Sequence, residues 1–397
     1  MHISAKVKEM EFSGTMKIAA KAIELKALGI NVIDLSVGEP DFPTPQRIKN
    51  AAITAMEKGY TIYTLASGII PLREAVGKWI KDFTSVEYKA NEIIVSNGAK
   101  HSIYNALQTI VEKGEEVIIP APYWVTYPAL VELVDGVPVI IDTTIESGFK
   151  ISPTQLRAAI TPKTRALILC NPSNPTGSVY SKTELEEIGK IVLDYDLYVI
   201  SDEIYSRLVY DNFEFVSFPS LSSELKKRTI LIDGVSKAYS MTGWRIGFAA
   251  AEKEIISAMG KLQSHMTSNP SSISQYAALE AISGSQDDVK DMHKVFSERR
   301  KFLFDSLCKI DGLITSNAKG AFYLFSDISH FIGKSFDGVT ITNSYDLAMY
   351  LISEAKVVTI PGSVFGTEGF IRIAYATSME NLVEGVKRIR IALEKLF

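Results

Sequence analysis

Short runs rich in β-branched residues alternate along this chain with longer amphipathic stretches, and that alternation constrains the fold more than any other feature. A parallel strand needs a crossover that returns the chain to the same end of the sheet, and a helix is the usual solution. Seven runs read as strands: 92–96, 116–120, 137–141, 165–169, 198–201, 229–233 and 246–250. Helical spacing fills 100–111, 181–193 and 252–265 between them. The expectation is an α/β domain over residues 42–284, built on a mostly parallel seven-stranded sheet flanked by helices.

Past Gly284 the pattern changes. Val289, Met292, Val295 or Phe296, Leu303 and Leu307 recur at helical spacing over an unusually long stretch. Strand runs follow at 321–326, 357–360 and 370–374, and a last helix carries the stripe Leu382, Val386, Ile389 and Leu393. With a helix expected over 16–28, residues 1–41 and 285–397 form a smaller α+β domain in this reading. A chain of 397 residues exceeds what one core usually organises, which agrees with two domains.

Charge excludes some partners. The 42 basic and 46 acidic residues are mixed along the chain, so no polybasic run exists to meet phosphate backbones or anionic lipid. Nucleic acid and membrane partners are disfavoured. Lys6, Lys8 and Glu9 interrupt the place where a secretory peptide needs an apolar core, and Pro120, Pro122 and Pro128 break the uncharged stretch 117–131. Cys170 and Cys308 lie far apart, without metal-type spacing. A cytoplasmic protein is expected.

Chemistry concentrates in residues 230–247, where an apolar run delivers Lys237 into a loop, beside Ser236 and ahead of Arg245. A lysine forms an imine with a carbonyl only when neutral, so its ordinary pKa of about 10 must fall through burial or nearby positive charge. Arg245 can supply that charge and bind a phosphate. A surface lysine in a turn is the competing reading.

Five more groups follow strand ends, where open α/β sheets hold ligands. Ser96-Asn97-Gly98-Ala99-Lys100 joins a strand to a helix start through small residues, as a phosphate site does and as many plain turns do. In Asn171-Pro172-Ser173-Asn174-Pro175-Thr176-Gly177, prolines stiffen a turn and Asn174 can donate to a phenolate oxygen. Ser201-Asp202-Glu203-Ile204-Tyr205 offers Asp202 to a pyridine nitrogen and Tyr205 to the ring's 3-oxygen; metal ligation by the paired acids and helix capping by Asp202 compete with this. Trp124 stands in an aromatic cluster with Tyr123 and Tyr127, fit either to stack on a heterocycle or to fill core. Arg372 interrupts the apolar strand 370–374, where burial demands an anion: a substrate carboxylate or a structural salt bridge.

Together these residues resemble the fold type I pyridoxal-phosphate enzymes, and among them the class I aminotransferases, most closely the aspartate aminotransferase subgroup Ib. The resemblance spans nearly the whole chain, from Ser36-Val37-Gly38-Glu39-Pro40-Asp41-Phe42 through Tyr63, Ser67-Gly68, Leu72-Arg73 and Asn174-Pro175-Thr176-Gly177 to the Lys237–Gly247 segment and Arg372. It implies pyridoxal 5'-phosphate as cofactor. Lys237 then matches the Schiff-base lysine, Asp202 the partner of the pyridine nitrogen, Asn174 and Tyr205 the 3-oxygen donors, and Trp124 the stacking aromatic. Gly98, Ala99, Lys100, Ser236 and Arg245 match the phosphate side, Arg372 the α-carboxylate clamp and Gly38 a backbone contact. Tyr63 matches a residue that reaches the neighbouring subunit's phosphate, which implies a homodimer with shared active sites, and the family closes its small domain on substrate.

Two departures qualify the match. Gly234 stands where some relatives carry a hydroxyl, leaving Ser236 as the nearby one. No second arginine is evident for a substrate side-chain carboxylate; in subgroup Ib a lysine at the position of Lys100 takes that work, with hydroxyl residues like Ser13 and Thr15 nearby. The implied reaction is ping-pong transamination between an L-amino acid, foremost L-aspartate, and 2-oxoglutarate. An aromatic or prephenate aminotransferase is the alternative on this scaffold. A cofactor-sensing transcription regulator would need an added DNA-binding domain, and the aminotransferase pattern begins within the first forty residues.

Overall fold

In the computed structural model, which describes residues 3–4, 7–8 and 15–396, seven strands form the central sheet. They are β1 (Ile93–Ser96), β2 (Glu116–Ala121), β3 (Val137–Asp142), β4 (Thr164–Cys170), β5 (Tyr198–Asp202), β6 (Thr229–Gly234) and β7 (Gly247–Ala250). Their spatial order is β1-β7-β6-β5-β4-β2-β3. Only β7 runs against its neighbours; every other pair in the sheet is parallel. All residues of β1, β6 and β7 are buried, because helices cover both faces, and so these runs read as continuously apolar rather than alternating.

Strand order places the site. From β2 the chain steps outward to β3 at one edge, whereas β4 to β7 step the other way. The reversal between β2 and β4 opens a crevice beyond the carboxyl ends of the strands. Helix Ala99–Ile110 starts at that end of β1, and helix Thr126–Leu133 just past β2. Elsewhere, helix Lys182–Asp194 opens with a capping box, Ser181 accepting from the Glu184 N–H and Glu184 reaching back to Ser181.

A second, antiparallel sheet has the order Ile360–Pro361, Phe370–Ala374, Tyr323–Asp327 and Ile314–Thr315. The run expected at 321–326 begins later because Ala321 takes a left-handed φ of 56°, which no strand accommodates. The run expected at 357–360 divides: Val357–Val358 pairs with Ile33–Asp34, and Ile360–Pro361 takes the edge of the antiparallel sheet, where a proline costs no ladder bond. Helix Asp287–Leu307 buries Phe296, Leu303 and Leu307 in the same core as Leu382 and Ile389 of helix Met379–Leu393.

Residues 35–41 run along the second sheet and its helix Asp287–Leu307. Leu35 accepts from the Ala374 N–H at 2.7 Å, and Arg299 forks the Asp41 carboxylate at 2.7 and 2.9 Å. No helix among the described residues is long and apolar enough to cross a membrane.

Candidate active site

A cavity of about 520 Å³ fills the crevice. Lys237 enters it from the loop beyond β6, and its Nζ donates to the Gly38 carbonyl at 2.6 Å. Burial pushes its pKa down to about 8; Arg372 and Arg245 push the same way, against Glu39 and Asp202. At neutral pH about a tenth of such an amine is unprotonated, far more than for a lysine in water.

Asp202 ends β5 and is buried. Its Oδ2 accepts from the Tyr127 hydroxyl at 2.6 Å and its Oδ1 from the Ile204 N–H at 3.3 Å. Burial raises its pKa, opposed by these bonds and by Lys237. Glu203, just past the strand, does not line the cavity and accepts from the Ser201 hydroxyl at 2.8 Å and the Phe218 N–H at 3.1 Å. Burial lifts it to about 7. The two acids therefore do not converge, and no group of three or more metal-capable side chains exists among the described residues.

Trp124 lines the cavity edge-on to Tyr127, ring centroids 5.4 Å apart, with the Lys100 Nζ 4.9 Å from its own. Burial, and Arg245 nearby, lower the Lys100 pKa.

Gly98 has φ 86°, and a Cβ there would run into the Arg245 guanidinium; a Cβ on Gly247 would strike the Ala99 backbone. These two glycines let Arg245 close on the start of helix Ala99–Ile110, whose first N–H groups have no partner within the helix. Ser236, Ala99 and Lys100 complete this wall, which suits an anion.

Arg372 forms the opposite wall. Its Nη1 donates to Asn174 Oδ1 at 2.9 Å and its Nη2 to the Ser36 carbonyl at 2.7 Å, while Nε is buried without a partner. No carboxylate pairs with it among the described residues. Asn174, having spent its oxygen on Arg372, keeps its amide N–H groups for an acceptor. Tyr205 shares a hydrogen bond of 2.9 Å with Tyr323.

Of the predicted site residues, Gly38, Ala99, Lys100, Trp124, Asn174, Asp202, Tyr205, Ser236, Lys237, Arg245 and Arg372 line this one cavity, with Gly98 directly behind Arg245. Tyr63 lies outside it, 86% exposed. Ser13 and the Thr15 side chain lie outside the described residues. Sequence reasoning missed Tyr323, an aromatic in an apolar strand, and took Tyr127 only as a member of an aromatic cluster.

The chain matches the family described as "Aminotransferase class I and II" over residues 30–389. It is 49% identical over 387 residues to an aspartate aminotransferase of Bacillus sp. (strain YM-2), covering 98% of each chain. An aspartate/prephenate aminotransferase of Nitrosomonas europaea is 45% identical, with 98% of this chain and 99% of that one covered. Among solved structures, the aspartate aminotransferase of Rhizobium meliloti superimposes with a TM-score of 0.97 at 40% identity, covering all of both chains. That of Thermus thermophilus with maleate superimposes at 0.92 and 36% identity, with 99% and 100% covered.

Proposed function

Because the chain belongs to the class I and II aminotransferase family, we propose that it moves an amino group between L-aspartate and 2-oxoglutarate with pyridoxal 5'-phosphate as cofactor. One observation carries this reading: Arg372 is buried beside a cavity with only neutral partners, so its charge awaits an anion that arrives with substrate. The donor set fits the cofactor. The cradle between Gly98 and Arg245 suits a phosphate, Asp202 a ring nitrogen, and Asn174 with Tyr205 a 3-oxygen.

When bound there, pyridoxal phosphate supplies a carbonyl for an amine and a ring that accepts electrons from the substrate's Cα. The remaining work falls to side chains. Arg372 grips the α-carboxylate and so turns the Cα–H toward Lys237. Lys237, largely desolvated, takes that proton on Nζ as a general base and returns it one position along. Asp202, accepting from Tyr127, would pair with the ring nitrogen and favour positive charge there. Trp124 would stack on the ring, and Lys100 would meet the distal carboxylate of the substrate. A 2-oxo acid then binds to the same Arg372, which makes the kinetics ping-pong.

The reading includes two domains, 42–284 and 1–41 with 285–397, the smaller closing on substrate, and a cytoplasmic location. It includes a homodimer, supported by exposed Ile62, Tyr63 and Leu65, a surface that a second copy would cover while bringing Tyr63 to the neighbouring phosphate. A second reading, aromatic or prephenate substrates, draws on Lys100 resting over Trp124, from which it can withdraw to admit a ring.

Absorbance tests both. Pyridoxal phosphate added to the protein should give a visible band that a Lys237→Ala variant lacks, and L-aspartate alone should abolish it. Conversion by L-phenylalanine only would favour the second reading, and a band indifferent to Lys237→Ala would refute the cofactor assignment.

A further inference from the structure

Tyr323 has no part in the reaction described above, yet it touches two of the groups that do and Gly38, whose carbonyl accepts from Lys237. Its hydroxyl lies 2.9 Å from that of Tyr205. Its ring lies under the Arg372 guanidinium, with Cζ 4.3 Å from the centroid. Gly38 abuts it so closely that a Cβ there would sit 3.0 Å from its hydroxyl oxygen. Tyr323 is fully buried and lines the cavity, on the strand Tyr323–Asp327 that pairs with the strand bearing Arg372.

We propose that Tyr323 is a positioning residue that sets the strength of the hydrogen bond Tyr205 gives to the cofactor's 3-oxygen, which rests on the pyridoxal-phosphate reading. The argument is proton counting. A tyrosine hydroxyl has one proton and two lone pairs. Once the Tyr205 proton points to the 3-oxygen, the contact with Tyr323 survives only if Tyr323 donates, so Tyr205 accepts from one tyrosine while donating to the ring. A hydroxyl that accepts becomes a stronger donor, and the effect is larger in a dry site.

Burial pushes the Tyr323 hydroxyl toward its protonated form, which favours the donor, while Arg372 and the bond with Tyr205 act the other way. The charged and titratable groups that face the pair include Arg372, Cys170, Tyr375 and, 6.0 Å from the Tyr205 ring centroid, Lys237. Arg372 stacks on the same ring whose hydroxyl feeds Tyr205, so the carboxylate clamp and the 3-oxygen donor share one support.

Charge on the 3-oxygen is easier to hold when Tyr205 donates strongly. Weakening that bond makes the oxygen more basic and moves the cofactor's colour transition to higher pH. The experiment titrates the absorbance of the loaded wild type, Tyr205→Phe, Tyr323→Phe and the double variant against pH, without substrate. Tyr205→Phe should raise the midpoint most, and Tyr323→Phe should raise it by about 0.5 unit. In the Tyr205→Phe background the second change should add nothing, since the relay is already cut.

Should Tyr323→Phe fold poorly, as thermal unfolding would reveal, Gly38→Ala displaces the same hydroxyl without deleting it and should also raise the midpoint. A midpoint unmoved by Tyr323→Phe, or a shift equal in both backgrounds, overturns the proposal while leaving the cofactor reading intact. Absence of any Lys237-dependent band would instead mean that the cofactor reading itself had failed.

Discussion

Two arginines are buried almost equally in this molecule, Arg299 at 7% exposure and Arg372 at 6%, and their surroundings differ in one respect. Arg299 holds the Asp41 carboxylate in a two-pronged grip, packed against Phe42 and Phe296, so its charge is answered within the chain. Arg372 donates to an amide and a backbone carbonyl, rests on Tyr323 and Phe365, and faces a cavity. The first arrangement ties residues 35–41 to helix Asp287–Leu307. The second leaves a charge unbalanced until something anionic enters, and burial lowers its pKa accordingly. A buried cation marks a binding site by the partner it lacks.

Removing each arginine should separate the two cases. Arg372→Ala should cut kcat/KM for L-aspartate by about 10³-fold, roughly 4 kcal/mol of transition-state binding, while unfolding in denaturant shows stability unchanged or improved. A loss of stability with kinetics spared would reverse the assignment. Arg299→Ala should do the opposite, costing about 2–3 kcal/mol of stability because a strong bidentate pair is broken but Asp41 can still reach water. Equilibrium unfolding measures this, and a change under 0.5 kcal/mol would mean the fork contributes nothing net.

The smallest effect concerns a third cation, Lys237. Its pKa is lowered in the folded state, so its protonated form costs stability below about pH 8, and that cost fades as pH rises toward the unfolded value of 10.5. Lys237→Met should therefore raise the unfolding temperature of the cofactor-free protein by a few degrees at pH 7 and by progressively less toward pH 10. A gain that does not depend on pH would point to packing rather than charge.

Much of this was legible in the sequence. Each strand of the central sheet begins and ends within one residue of its predicted run, since β-branched runs between turn residues leave little choice. Arg372 stood out as a charge in an apolar strand. The Asp202 and Glu203 pair misleads as a pair, because β5 ends at Asp202, which lines the cavity, while Glu203 just past it is held by Ser201 and the Phe218 N–H. Tyr323 and Tyr127 were hidden for another reason. A tyrosine among apolar residues reads as core, and these are core, except for hydroxyls whose direction depends on distant segments.

One consequence follows from β7 being the reversed strand. β6 leads out to Lys237, the chain loops, and β7 leads back in just after Arg245, with Gly234 paired to Gly247. That pairing closes the loop into a ring of fixed circumference. The spacing between an amine that can meet a carbonyl and a cation that can meet a phosphate is thus gauged by the chain itself, and inserting a single residue between the two would put the gauge out of true.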